Sequence, residues 1–363
     1  MRLFRFVGWY YFKYFLIVLL ALELFFVGID SLKYADKMPD SANMIILFFT
    51  YDILFALNYT LPISLLLAMV LFYISFIKSN QYTALLSIGF SKCQILSPIF
   101  LISLFFTAVY VGLNATPFVY MEEKTQNLIY KDNSLSVSEH LLVKYNDDYV
   151  YFDKINPLLQ KAQNIKVFRL KDKTLESYAE AKEAFFEDKY WILHDTTIYE
   201  MPLKFELGAN ALSTMHLKTF KTLKNFRPKV LDTIYQNKPA VSITDALLSL
   251  HALVRQNADT KKVRSFLYVF AILPFFVPFL SVLIAYFSPS LARYENLALL
   301  GLKFIIITLV VWGLFFALGK FSISGILIPE IGVLSPFFIF LSLSLWYFKK
   351  LNKRLWFLNL ICY

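Results

Sequence analysis

The sequence predicts an α-helical polytopic membrane protein with six transmembrane helices, three on each side of an inserted all-β, jelly-roll-like domain. Six apolar segments are each near or above the roughly 20 residues that a helix needs to cross a bilayer. A polar insert, residues 121–262, separates the third segment from the fourth. The composition agrees, because 58% of the residues are hydrophobic and only 17% are charged, an apolar bias beyond that of an ordinary soluble domain. This layout is typical of proteins that transfer something between membrane and water.

The predicted elements divide the chain into three regions. Region 1–120 holds spans one to three and a short cytoplasmic helix near 79–91, region 121–262 holds the β domain and a connecting helix, and region 263–363 holds spans four to six. The predicted spans are 14–29, 45–77, 95–120, 266–287, 297–318 and 326–348.

Charge predicts the orientation of the chain in the membrane. The insert contains 21 of the 36 Lys and Arg and 19 of the 26 Asp and Glu, so most of the net charge of +10 belongs to the membrane regions. Basic residues flank the first and last spans, which places both ends in the cytoplasm and the insert outside. Basic flanks of this kind need no nucleic acid, and we expect no such partner. The flanking residues are Arg2, Arg5, Lys13, Lys349, Lys350, Lys353 and Arg354.

The insert reads mainly as strands, because stretches rich in β-branched and aromatic residues alternate with polar turns. Residues 175–183 alternate between small and charged side chains, which predicts one buried and one wet face. After the strands, Ser242 and Asp245 form a predicted capping box. The helix that follows has an apolar stripe of Ile243, Leu247, Leu250 and Val254. The predicted strands are 141–145, 149–155, 165–170, 174–186, 190–201 and 214–220.

The sequence contains no recognisable catalytic or metal-binding motif. Cys93 and Cys362 both fall on the predicted cytoplasmic side, so no disulfide is expected in the insert. The four histidines show no HxH or HExxH spacing, and no nucleotide-binding or hydrolase motif occurs. We therefore expect neither an enzyme nor a cofactor or metal bound by this chain.

A short cytoplasmic segment, residues 79–92, joins spans two and three. Ala84, Leu85, Leu86 and Ile88 favour a helix, and Gly89 is placed to end it. A short helix lying across the end of a bundle needs a protein socket for its apolar side. The alternative is a simple connector.

This segment resembles the coupling helix of the LptF/LptG lipopolysaccharide export permeases at Gln81, Ala84, Gly89 and Ser91. Stretches 27–30, 61–66 and 191–195 also resemble the family, as does the arrangement of three spans on each side of an external β domain. The acid-containing end of the first span is more similar to LptG than to LptF. The chain departs from the family in two places: Gln81 replaces the usual acidic residue and Leu86 the usual basic one.

The resemblance implies a non-enzymatic permease of an ABC transporter in the inner membrane of a Gram-negative bacterium. ATP and Mg²⁺ would be bound by a separate LptB-like ATPase dimer. An LptF-like second permease and an LptC-like, membrane-anchored periplasmic protein would complete the complex. Lipopolysaccharide would leave the outer leaflet and pass over a periplasmic jelly roll to a periplasmic bridge.

The resemblance also implies a contact with the ATPase through the cytoplasmic segment. We expect Tyr82, Leu85 and Ile88 to pack against the ATPase and Gln81 to hydrogen-bond with it. The full set of expected coupling residues is Gln81, Tyr82, Thr83, Ala84, Leu85, Ile88, Gly89 and Ser91.

Polar residues near the outer membrane surface are the candidate substrate contacts. These residues either bind lipid phosphates or are ordinary solvated interface residues. They are Lys33, Lys37, Lys261, Lys262 and Arg264.

Glu23 is expected to be the one carboxylate well inside a span. Acids placed within the membrane are candidates for function, because burying their charge is costly. The alternative is a protonated glutamate that is hydrogen-bonded within the bundle.

Two other classes of function stay open. A mechanotransmitting permease would drive a periplasmic partner without moving substrate through itself, but such proteins usually have four spans. A membrane-embedded enzyme or sensor would need convergent polar residues at the outer rim or a cytoplasmic output domain, and neither is evident.

Overall fold

The computed structural model describes residues 2–39, 41–129, 138–145, 148–156, 159–171, 174–201, 213–224, 228, 241–255, 260–291, 293 and 296–359. Within these ranges six helices are long and apolar enough to cross a membrane, which confirms the six predicted spans. Cys362 and the side chains of Lys353 and Arg354 lie outside the described part. The six helical stretches are Arg2–Lys33, Ala42–Lys78, Lys92–Asn114, Lys261–Phe287, Leu297–Ile323 and Glu330–Leu351.

The chain divides into two compact units. The helical unit comprises Met1–Met121 and Ser265–Tyr363, and the β unit comprises Glu122–Arg264. The described helices are α1 (Arg2–Lys33), α2 (Ala42–Lys78), α3 (Gln81–Ser87), α4 (Lys92–Asn114), α5 (Met121–Ile129), α6 (Ile243–Arg255), α7 (Lys261–Leu267), α8 (Phe276–Phe287), α9 (Leu297–Ile323) and α10 (Ser335–Asn359).

Helix α2 is central to the helical unit. It packs against α1 and α9, while α4 lies against α1 and α8, and α10 lies against α8. Phe72 and Phe76 of α2 are fully buried, with ring centroids 4.8 Å apart. Because lipid tails are as apolar as these side chains, close packing and hydrogen bonds hold such helices together. One of these bonds runs from Tyr11 Oη of α1 to the Leu65 carbonyl of α2, at 3.1 Å.

The fourth span is interrupted along its length. A π-helical turn, Tyr268–Ile272, and a 3₁₀ turn, Leu273–Phe275, separate α7 from α8. Pro274 lies in the 3₁₀ turn, where its missing N–H and its ring prevent regular α-helical hydrogen bonding. A second π-helical turn, Glu330–Leu334, precedes α10.

The β unit contains a six-stranded antiparallel sheet with the strand order β1-β2-β3-β4-β5-β6. All six predicted strands are present and the inserted β domain is confirmed. Neighbours in the sheet are also neighbours in sequence, so the described strands form a meander without the crossover connections of a complete jelly roll. The strands are β1 (Ser138–Tyr145), β2 (Asp148–Asn156), β3 (Lys161–Lys171), β4 (Thr174–Glu187), β5 (Tyr190–Glu200) and β6 (Ser213–Thr222).

A transverse line of irregular backbone crosses the whole sheet. Each of the five ladders skips pairing at this line, and the skipped residues align from strand to strand. The residues on β1, β3 and β5 have positive φ angles of 56°, 48° and 49°. In a regular strand the side chains that face one side are two residues apart. Across this line they are three residues apart, as with the buried pair Phe152 and Ile155. The aligned residues are His140, Asp153, Asn164, Lys182, Asp195 and Lys218.

One face of the sheet is apolar and buried. Phe152 and Trp191 are fully buried, with ring centroids 5.1 Å apart. Ala179 and Ala181 of β4 are buried and Glu180 is exposed, as the alternation predicts. The apolar face therefore has small side chains on β4 and large aromatic side chains on β2 and β5.

Helix α6 corrects one sequence prediction. The N-cap half of the predicted capping box is present, because Ser242 Oγ accepts a hydrogen bond from the Asp245 N–H at 3.1 Å. The buried face, however, consists of Ala246, Ser249 and Leu253. Two members of the predicted stripe, Leu247 and Val254, are 54% and 59% exposed. Apolar spacing gives the period of a helix, whereas the neighbouring chain decides which side is covered.

Candidate functional site

The short helix α3 is bounded at both ends by residues in the left-handed conformation. Asn80 has a φ angle of 57° and Gly89 one of +100°. The N–H groups of Gly89 and Phe90 bond to the carbonyls of Leu86 and Leu85, which ends the helix. Ser91 then begins α4 in a capping box with Gln94, with hydrogen bonds of 2.9 and 3.0 Å. These two turns fix the direction of α3 relative to α2 and α4.

One side of α3 is anchored within the helical unit. Tyr82 is 1% exposed, and its ring lies 6.1 Å from that of Tyr73 and 6.2 Å from that of Phe76. Burial raises the pKa of Tyr82 well above its ordinary range, so its hydroxyl stays protonated. The prediction that Tyr82 presents its ring to an ATPase is therefore corrected, since this ring packs inside the chain's own bundle.

Two hydrogen bonds connect the α3 region to the second half of the chain. Thr83 Oγ1 donates to the Ser290 carbonyl at 2.7 Å, and Lys92 Nζ donates to the Ser288 carbonyl at 2.7 Å. Ser288 and Ser290 belong to the connection between α8 and α9. Helix α3 therefore contacts both sets of three spans at one end of the helical unit.

The opposite side of α3 is open. Ala84, Ser87 and Ile88 are exposed, and Ile88 is the most prominent apolar side chain, with 73% of its surface accessible. Leu85 is half-buried and packs against the bundle core. Gln81 is also half-buried, and its Oε1 accepts no hydrogen bond from the described residues. The open surface is thus a small apolar patch, and the Gln81 amide oxygen is not part of it, because that atom is buried.

A polar cluster lies between α1 and α2. Thr60 Oγ1 donates a hydrogen bond to Glu23 Oε1. Asp52, also on α2, is fully buried, and within the described structure neither of its carboxyl oxygens has a hydrogen-bond partner. Asp30 and Lys33 are close enough to act electrostatically on Asp52.

The expectation of one carboxylate well inside a span is therefore wrong. Asp52 lies within α2, and its side chain is more completely covered than that of Glu23. The sequence signal was available, since this aspartate interrupts the apolar stretch 44–57.

The candidate phosphate-binding residues are divided between the two units. Lys33 and Lys37 are exposed in the helical unit, with Lys33 Nζ 4.6 Å from the centroid of the Tyr34 ring. Lys261 is exposed, whereas Lys262 and Arg264 are partly covered, at the end of the β unit. The structure does not gather the five residues within one unit.

The described residues include no group of three or more His, Cys, Asp or Glu side chains able to hold a metal ion. Cys93 is a free, half-buried cysteine near the start of α4.

Comparison with known families decides the relationship of the chain. The sequence model described as lipopolysaccharide export system permease LptF/LptG matches residues 5–350, which covers all six spans and the β unit. This chain belongs to the LptF/LptG family. A search of curated proteins found no match.

Membership of the LptF/LptG family confirms the resemblance on which the sequence interpretation depended. The family is the lipopolysaccharide export permease, so this LptF/LptG protein is a transporter component and not itself an enzyme. Its six apolar helices suit a multi-pass membrane protein. The matching model covers LptF and LptG together, so the greater similarity to LptG stays a prediction.

Proposed function

We propose that this LptF/LptG protein is one permease of an ABC exporter that extracts lipopolysaccharide from the outer leaflet of the inner membrane of a Gram-negative bacterium. A second, LptF-like permease would form the other half of the translocation cavity. ATP and Mg²⁺ would bind to a separate LptB-like ATPase dimer in the cytoplasm. An LptC-like anchored protein would receive the lipid from the β unit, which would lie in the periplasm.

The observation that carries this proposal is the double attachment of α3. Its buried Tyr82 packs against α2, while Thr83 bonds to the connection between α8 and α9. A push on the open side of α3 would therefore move elements from both halves of the helical unit together. This is the mechanical property required of a helix that couples an ATPase to a lipid cavity.

The chemistry of the β unit supports the same proposal. Lipid chains need an apolar path outside the bilayer, because each exposed methylene is unfavourable in water by about 0.8 kcal/mol. The sheet has a continuous apolar face on one side and charged residues on the other. An acyl chain would follow this apolar face by displacing side chains that pack there in the resting structure.

Docking can be tested with Ile88→Asp, because Ile88 is exposed and its replacement leaves the bundle core intact. We expect this variant to lose the ATPase on co-purification from the membrane. Ile326→Asp is the matched control, since Ile326 is 72% exposed and lies in the connection before α10. An unchanged yield of ATPase with Ile88→Asp would contradict the proposed docking surface.

Substrate transfer needs a separate experiment. We expect lipopolysaccharide to remain bound to the purified complex, which a purely mechanotransmitting permease would not retain. Charge reversal at Lys261, Lys262 and Arg264 together is expected to lower lipopolysaccharide cross-linking, because their attraction to phosphate becomes repulsion. Normal cross-linking in the triple variant would remove these residues from the substrate path.

A further inference from the structure

A large groove runs between the beginning of α1 and the middle of α4, away from α3 and from the cluster around Glu23. Its volume is about 900 Å³, and it is lined by Phe4, Arg5, Phe6, Gly8, Trp9, Tyr10, Phe12, Leu101, Ile102, Phe105 and Phe106. Gly8 brings the two helices together at this point, because a Cβ atom there would lie 3.1 Å from Ile102 Cδ1. Gly8 therefore forms the floor of the groove where the two helices are in close contact, and larger residues line it on either side.

The walls of this groove are mainly aromatic. Trp9 and Phe105 are 68% and 62% exposed, although both are large apolar side chains. The ring of Phe12 lies 5.9 Å from Trp9 and 5.9 Å from Phe106, which fixes the positions of the wall residues. A preformed apolar groove of this size suits a flexible hydrocarbon chain.

One end of the groove is positively charged. Arg5 is the only charged residue among those described along its walls, and it is exposed one turn before Gly8. Arg2 lies nearby in sequence, and the first turn of α1 contains no acidic residue. A guanidinium group can bind a phosphate through two parallel hydrogen bonds. The groove therefore combines an apolar channel with an anion-binding end.

We propose that this groove is a binding site for an anionic phospholipid of the surrounding membrane. One acyl chain lies between the aromatic walls, and the phosphate contacts Arg5. The complementary charge favours a phospholipid over a neutral apolar helix, which would gain nothing from Arg5. The site lies wholly in the helical unit and does not depend on the proposed export function.

The test uses the full chain, with any partners that co-purify, in nanodiscs of phosphatidylcholine with or without phosphatidylglycerol. Lipid retained after detergent extraction is identified by native mass spectrometry. We expect phosphatidylglycerol to be retained preferentially, and Arg5→Gln to lower its retention about tenfold, the effect of roughly 1.4 kcal/mol. Lys13→Gln is the matched control, because Lys13 is an exposed cation on α1 that does not line the groove.

A second measurement locates the lipid. Phosphatidylglycerol carrying a photoreactive acyl chain is expected to label residues 101–106, and Phe105→Ala is expected to reduce this labelling while the thermal midpoint of unfolding stays unchanged. Equal retention of phosphatidylcholine, full retention by Arg5→Gln or labelling elsewhere would overturn the proposal. Displacement by purified lipopolysaccharide, or cross-linking of a partner helix into the groove, would also overturn it by identifying another occupant.

Discussion

Thr60 of α2 donates a hydrogen bond to Glu23 of α1, and this contact joins two membrane-spanning helices through polar side chains. The second carboxyl oxygen of Glu23 is buried without a hydrogen-bond partner in the described structure. Glu23 thus depends on Thr60 for its principal polar contact within the bundle.

Thr60→Val should lower the free energy of unfolding by about 1 kcal/mol, because it removes this hydrogen bond while keeping the shape of the side chain. Thr60→Ser is the control, since it keeps the hydroxyl. Thermal unfolding of the purified protein measures the difference. Equal midpoints for Thr60→Val and Thr60→Ser would show that the bond contributes nothing to stability.

Asp52→Ala should stabilise the protein by about 1 to 3 kcal/mol, because it removes a buried carboxyl group that lies near two other acids, Asp30 and Glu23. Ser103→Ala is the control, since Ser103 is also fully buried but donates a hydrogen bond to the Phe100 carbonyl at 2.9 Å. The two variants should shift the unfolding midpoint in opposite directions. A loss of stability in Asp52→Ala would mean that the carboxyl group makes a favourable interaction in the assembled protein.

Asp195→Gly should leave the β unit folded, whereas Asp195→Val should destabilise it by about 1 to 2 kcal/mol. The reason is the φ angle of 49° at this residue, which glycine adopts without strain and a β-branched residue does not. Hydrogen exchange in β5 measures the effect on the sheet. Similar exchange rates in the two variants would argue against the irregular line across the sheet.

The β unit should become less stable as the pH rises above 10, in part through Tyr178. Burial, together with the hydrogen bond of 2.9 Å to Glu180, raises the pKa of Tyr178 above its ordinary value of 10. The folded state therefore favours the protonated phenol. The stabilisation that Tyr178 provides is complete below pH 10 and is lost as the pH rises toward the pKa of Tyr178 in the folded protein. Tyr178→Phe should make unfolding less dependent on pH in this range. An identical pH profile for the variant would contradict this assignment.

The membrane layout was predictable because it depends on properties that each segment carries by itself. An apolar stretch such as 45–77 must form a helix in lipid, since its backbone finds no water there. The strands were predictable for a similar local reason, as the alternation around Ala179 and Ala181 shows. The turn at Asp188 and Lys189, with φ angles of 47° and 70°, follows the same local pattern.

The candidate site was only partly predictable. Gly89 was correctly predicted to end α3, because capping is a local interaction. The sequence did not predict which side of α3 faces the bundle, and Tyr82 is buried on that side. A helix of seven residues has no sequence period long enough to distinguish its covered side from its open one.

The sequence by itself determined six spanning helices, an inserted β domain and the presence of a short helix, ended by Gly89, between spans two and three. Only the tertiary structure brought Thr83 to Ser290, buried Asp52 and opened the groove beside Gly8. The physical reason is distance along the chain. Composition and capping act over a few residues, whereas these contacts join residues far apart in sequence and depend on how whole helices pack.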